Sequence, residues 1–155
     1  MGRNSGYLAL MAAMATGAEM ALIPEVHVPE DLLMAEMRSS YARGKTHFIV
    51  VVAEGARMKA KDVADYISED GRGEGYEARL TVLGHIQRGG SPSAFDRILA
   101  TRLAAAAVER LAAGFSGQMM SLLDGQVTGI PMEDVLSSTR MLDRELYKLS
   151  AVLAT

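Results

Sequence analysis

HFIVVVA, residues 47–53, is a continuous run of aromatic and β-branched side chains after its opening histidine, with no polar alternation. A strand with one wet face alternates apolar and polar residues. A run without alternation therefore predicts a strand covered on both faces, as in a parallel sheet. Ahead of it, Pro29, Glu30 and Asp31 place a proline and two acids where a helix begins. Leu32, Leu33, Met37 and Tyr41 then recur at helical spacing and Gly44 stands where a C-cap belongs, predicting a helix over about 30–43. Further upstream, residues 6–16 read as a helix and EMALIP, residues 19–24, as a short strand.

Downstream the alternation continues. A helix is expected over about 60–69, a turn through Gly71, Gly73 and Gly75, and a strand over about 77–83. Alternating helices and strands predict an α/β fold, a three-layer sandwich whose mostly parallel sheet is flanked by helices. Such sheets bind ligands at the carboxyl ends of their strands. Residues 94–113 form an Ala/Leu-rich helical pattern closed by Gly114. A hairpin turned at Asp124-Gly125 follows, then one or two short helices to the end. The expected division is an α/β domain over 1–92 that binds the ligand, and helices and a hairpin over 93–155 that form a different layer.

The composition fits a chain able to bury one sizeable core: 155 residues, 49% hydrophobic, 23% charged. A formal net charge of −3 gives no electrostatic case for nucleic acid, so any anion site must be local. Cysteine is absent, which excludes disulfides and thiolate metal sites and is compatible with a reducing cytosol. The apolar stretch 7–15 is too short to span a bilayer and is broken by Thr16, Gly17 and Glu19. A single Arg3 before a Met/Ala-rich segment is a poor secretory signal, so the reading is a cytoplasmic protein.

Three clusters carry candidate chemistry: Met1-Gly2-Arg3 before the first helix, Glu54-Gly55 after the strand at 47–53, and His85-Ile86-Gln87-Arg88-Gly89-Gly90-Ser91-Pro92 after the strand expected to end near 83. Arginines and a histidine hold phosphate by charge-assisted hydrogen bonds, a carboxylate accepts from sugar hydroxyls, and glycines let backbone approach closely. Together they suit a phosphorylated sugar. Taken singly each has an ordinary reading: a solvated glutamate after a strand, a glycine-rich loop, a structural histidine, an exposed arginine near a start methionine.

The run Thr81-Val82-Leu83-Gly84-His85-Ile86-Gln87-Arg88-Gly89-Gly90-Ser91-Pro92, extended by Phe95-Asp96-Arg97, resembles the signature of the phosphofructokinase family. Met1-Gly2-Arg3-Asn4-Ser5-Gly6 resembles a second characteristic segment and Val52-Ala53-Glu54-Gly55-Ala56 a third, in the family's order. The resemblance covers essentially the whole chain and corresponds to the C-terminal, sugar-phosphate-binding half of a bacterial-type 6-phosphofructokinase. It implies that Met1, Gly2, Arg3 and Glu54 lie on fructose 6-phosphate, with Glu54 accepting from its hydroxyls, and that His85 and Arg88 hold the sugar phosphate. Arg79 would reach the substrate phosphate of a neighbouring subunit, implying a homo-oligomer. Arg3 would stabilise charge on the phosphoryl group in flight. Gly17, Glu19, Arg43 and Lys45 fall on positions that bind a nucleotide effector in allosteric bacterial members, although cations at a helix C-terminus also complement its dipole without any ligand.

The sequence departs from the family in what it lacks. The glycine-rich loops that hold ATP, the magnesium ligands and the Thr-Ile-Asp-Asn-Asp type segment with the catalytic base are absent, as is an arginine that family members place just before the first segment. The expectation is a fragment, or one domain of a longer product, inactive alone because phosphoryl transfer depends on positioning and charge stabilisation. ATP and Mg²⁺ would then serve only the full-length enzyme. The nucleotide effector leans toward the ATP-using branch. A pyrophosphate-dependent relative and a non-catalytic sugar-phosphate-binding module are the alternatives. The helix at 94–113 and the tail are expected to lose packing surface and to promote self-association.

Overall fold

The computed structural model describes residues 2–70, 74–138 and 142–153. Two units emerge, Met1–Arg88 with Leu142–Thr155, and Gly89–Met141. The boundary falls a few residues before the expected one, and the tail joins the first unit instead of remaining with the residues that precede it.

The first unit opens with α1 (Tyr7–Thr16), β1 (Met20–Leu22), α2 (Glu30–Ala42), β2 (Val50–Val52) and α3 (Ala60–Asp70), and ends with α6 (Arg144–Leu153). Strands β1 and β2 pair in parallel, with Met20 opposite Val50, Ala21 opposite Val51 and Leu22 opposite Val52. The parallel α/β arrangement is the one the unalternated run predicts. The helix ends are set locally. Gly17 caps α1 at φ +69 and Gly44 follows α2 at φ +89, left-handed conformations that cost glycine nothing.

Side chains from every layer share one core: Leu10 and Ala13 of α1, Ala21 and Leu22 of β1, Ile23 just after it, Leu33, Met34 and Met37 of α2, and Val63 and Ile67 of α3. Helix α6 lies against α1 and β1. The strand β2 is half-buried where full cover was expected, and Ile49 just before it is 44% exposed.

The strand expected over 77–83 does not form. Residues 76–83 run without regular structure, and Tyr76, Ala78 and Leu80 face Val50 and Val52 of β2 across a cavity of about 190 Å³. A β-rich composition makes a strand only where a neighbour completes its ladder, and here the gap to β2 stays open. The turn expected through Gly71, Gly73 and Gly75 lies partly outside the described residues; Gly75 itself takes φ +76.

The second unit comprises α4 (Ala94–Ala112), β3 (Gln118–Leu123), β4 (Gln126–Pro131) and α5 (Met132–Ser137). Helix α4 starts on a reciprocal capping box between Ser93 and Asp96. The antiparallel pair β3–β4 turns at Asp124 (φ +49) and Gly125 (φ +78), the positive pair of a two-residue hairpin that the Asp-Gly dipeptide predicts. Phe95, Ile98, Val108 and Leu111 of α4 are each 60% or more exposed.

Candidate functional site

The loop after β2 is a tight turn. The Ala56 N–H donates to the Ala53 carbonyl at 3.0 Å, placing Glu54 and Gly55 at its two central positions. This turn abuts the segment before α1. A side chain at Gly55 would run into the carbonyl oxygen of Arg3 and stand 2.9 Å from its carbonyl carbon. Glycine is therefore required for Glu54 and Arg3 to sit on neighbouring stretches of backbone. The segment 2–5 is itself a turn, closed by the Ser5 N–H on the Gly2 carbonyl at 2.9 Å, with Gly2 at φ +132 and Arg3 at φ +48. A left-handed arginine costs conformational energy and is held here by the Ser5–Gly2 backbone bond. The Gly6 N–H fixes the far side of this turn by donating to both oxygens of Glu25, at 2.9 and 3.1 Å.

His85 and Arg88 lie on a short 3₁₀ turn, Gly84–Arg88, and both are exposed. Among the described residues no hydrogen bond or ion pair engages their side chains, and none ties them to Arg3 or Glu54. Arg79 is 85% exposed and meets Glu77 at 3.1 Å, a surface pair that solvent screens and a phosphate can displace. Met1 lies outside the described residues. The structure thus sets Gly55, the neighbour of Glu54, against the backbone of Arg3, and leaves Arg79, His85 and Arg88 exposed, with Arg79 among the residues lining the cavity beside β2.

The second predicted group is arranged differently. The Glu19 carboxylate is almost buried; it accepts from the Ile49 N–H at 2.7 Å and from the Lys45 ammonium at 3.2 Å, strapping the turn after α1 to the start of β2. Burial pushes its carboxyl up, but the Ile49 N–H and Lys45 outweigh burial and hold it below the usual range. Gly17 is the helix cap two residues earlier. Arg43 turns to the hydroxyls of Ser39 and Ser40, at 2.6 and 3.1 Å. Glu19 and Lys45 are thus neighbours already committed to one another, and Arg43 is engaged on its own helix.

Sequence reasoning missed Lys59. Its ammonium donates to the carbonyls of Glu54 at 2.9 Å and Ala56 at 2.8 Å, and its backbone N–H donates to Asp62 at 3.0 Å. The one local signal was the acid three residues on, the backward half of a capping box. A larger cavity, about 710 Å³, opens beside this loop, lined by Leu22 at the end of β1 and Ile23 after it, His27 before α2 and Asp31 in its first turn, and Arg57 and Met58. It sits at the carboxyl ends of both parallel strands, where open α/β sheets place ligands. Among the described residues no helix is long and apolar enough to cross a membrane, and no group of three or more His, Asp or Glu converges as a metal site.

The known proteins similar to this chain are phosphofructokinases. An ATP-dependent 6-phosphofructokinase of Thermotoga neapolitana is 43% identical over 154 residues, covering 99% of this chain and 47% of that protein. One from Bacillus cereus is also 43% identical with the same coverage, and one from Brevibacillus brevis is 41% identical. The chain spans about half the length of the curated relatives it matches. Among solved structures, phosphofructokinase of Pichia pastoris in the T-state superposes with a TM-score of 0.77 at 33% identity, over 99% of this chain and 18% of that one. That of Saccharomyces cerevisiae gives 0.77 at 30%, over 99% and 20%. The family model described as phosphofructokinase matches residues 1–111, more than half of the sequence, and the chain belongs to that family.

Proposed function

We propose that this chain is the fructose 6-phosphate-binding half of a cytoplasmic ATP-dependent 6-phosphofructokinase, the glycolytic phosphotransferase that makes fructose 1,6-bisphosphate. The observation that carries the reading is the seating of Gly55 on the Arg3 carbonyl, which sets a carboxylate-bearing turn beside an arginine-bearing one. In the proposed mechanism Glu54 accepts from sugar hydroxyls and orients the ring. Met1, Gly2 and Arg3 border the sugar. His85 and Arg88 donate to its 6-phosphate, and Arg79 exchanges Glu77 for the phosphate bound in a neighbouring copy of a homo-oligomer. Arg3 donates toward the phosphoryl group as it passes to the sugar's 1-hydroxyl, where charge stabilisation and alignment supply most of the rate.

ATP and Mg²⁺ would supply the phosphoryl group and neutralise its charge in the full-length enzyme. The names of the relatives favour ATP over pyrophosphate as donor. Gly17, Glu19, Arg43 and Lys45 are proposed as a nucleotide effector site in which the effector's phosphates compete with Glu19 for the Lys45 ammonium.

Calorimetric titration of the chain with fructose 6-phosphate tests the reading, with fructose as the control lacking phosphate and a His85→Ala, Arg88→Ala double variant alongside. Binding of the phosphorylated sugar alone, lost in the variant, is the expected result. Equal binding by parent and variant removes His85 and Arg88 from the site.

A further inference from the structure

We infer that Lys59 is a positioning residue for the candidate site, a lock on the turn that carries Glu54. The inference rests on the sugar-phosphate reading for its consequence and on the structure for its geometry. In the turn 53–56 the peptide between Glu54 and Gly55 joins the two central residues. That peptide can flip between the two common turn types with little change in the flanking chain, and glycine at the third position tolerates both, because one of the two requires φ above zero there. Gly55 is not among the glycines with positive φ, so the turn stands in the other state.

The ammonium of Lys59 is what distinguishes the two states. It donates to the carbonyl of Glu54 at 2.9 Å and to that of Ala56 at 2.8 Å, so both oxygens must point to the same side. A flip of the 54–55 peptide turns the Glu54 carbonyl away and breaks the first bond. The lysine is itself fixed at its backbone, where its N–H meets the Asp62 carboxylate in the first turn of α3. Gly55, at the end of the peptide so held, is the residue whose Cα faces the Arg3 carbonyl, so the lock sets the Glu54 backbone and the Arg3 turn together. Methionine at this position keeps the length and removes all three donors. Arginine restores donors able to bridge two carbonyls.

The test uses the whole chain as parent, Lys59→Met and Lys59→Arg, with two readouts. Nuclear magnetic resonance follows the Glu54 carbonyl shift and the exchange of the Gly55 amide, and calorimetry follows fructose 6-phosphate. Lys59→Met is expected to shift or double the 54–56 resonances, to speed exchange at Gly55 and to weaken fructose 6-phosphate about tenfold, since small displacements at a positioned site are costly. Lys59→Arg is expected to recover most of both, and the thermal midpoint to stay near the parent's in each. Resonances unchanged in Lys59→Met overturn the lock whatever the ligand does. Released resonances with unchanged affinity, in a parent that binds, overturn the positioning role. If the parent binds no fructose 6-phosphate, the sugar-phosphate reading fails separately and the resonances alone decide the lock.

Discussion

Replacing Gly55 by alanine puts a methyl group where the Arg3 carbonyl now lies, 2.9 Å from its carbonyl carbon and 3.4 Å from the Cα of Asn4. Real contacts of this kind do not fall below van der Waals separation, so one turn must retreat by roughly 1 Å. The Glu54 turn is anchored by its own hydrogen bond and by Lys59, and its flank Ala56 is buried. The Arg3 turn is exposed from Gly2 to Ser5 and closed by one backbone bond. The displacement therefore falls on Arg3. Overpacking costs about 1–3 kcal/mol in a tight core, and an exposed turn yields near the low end, so urea unfolding should show a loss of about 1 kcal/mol. A hydrogen bond to a charged group contributes about 1.5–3 kcal/mol, so loss of the Arg3 contact should weaken fructose 6-phosphate by roughly ten- to a hundredfold in calorimetry. Affinity should thus suffer more than stability. A Gly55→Ala protein that binds like the parent would refute the juxtaposition, and a stability loss well above 3 kcal/mol without a change in affinity would place the close contact in the core instead of the site.

Two further outcomes concern the frame. Because the folded Glu19 carboxyl is held below its ordinary value of 4.5, its contribution to stability is complete above that value and disappears as pH falls through the lower, folded one; Glu19→Gln should lose about 1 kcal/mol at neutral pH and flatten that acid limb in urea titrations, and an unchanged limb would deny the strap. Leu33→Ala, at a side chain 1% exposed, should cost about 2–5 kcal/mol in the same unfolding assay, and a loss under about 1 kcal/mol would mean that α2 does not pack as described.

Several elements were legible because their causes are local. Gly17 and Gly44 end helices through a conformation that only their own lack of a side chain makes cheap, and Asp124-Gly125 turns a hairpin for the same reason. The unalternated run at 47–53 announced a strand in a parallel sheet, though only Val50–Val52 pairs, with the three residues of β1. The resemblance named Arg3 and Glu54 as candidates, whereas the approach of Gly55, the neighbour of Glu54, to the Arg3 carbonyl is visible only in the fold.

What the sequence by itself determined, then, is the alternation of helices and strands, the positions of the turns and the family, all written in short windows where each residue answers to near neighbours. Tertiary structure alone decided that residues 77–83 stay out of the sheet, that the tail returns to the first unit, that Glu19 and Lys45 pair, and that Lys59 reaches back to the turn of Glu54. Each of these depends on a partner brought close by folding, or on one that fails to come close, and hydrogen bonds and ladders fall off within an ångström of their proper length, a precision that spacing along a chain does not carry.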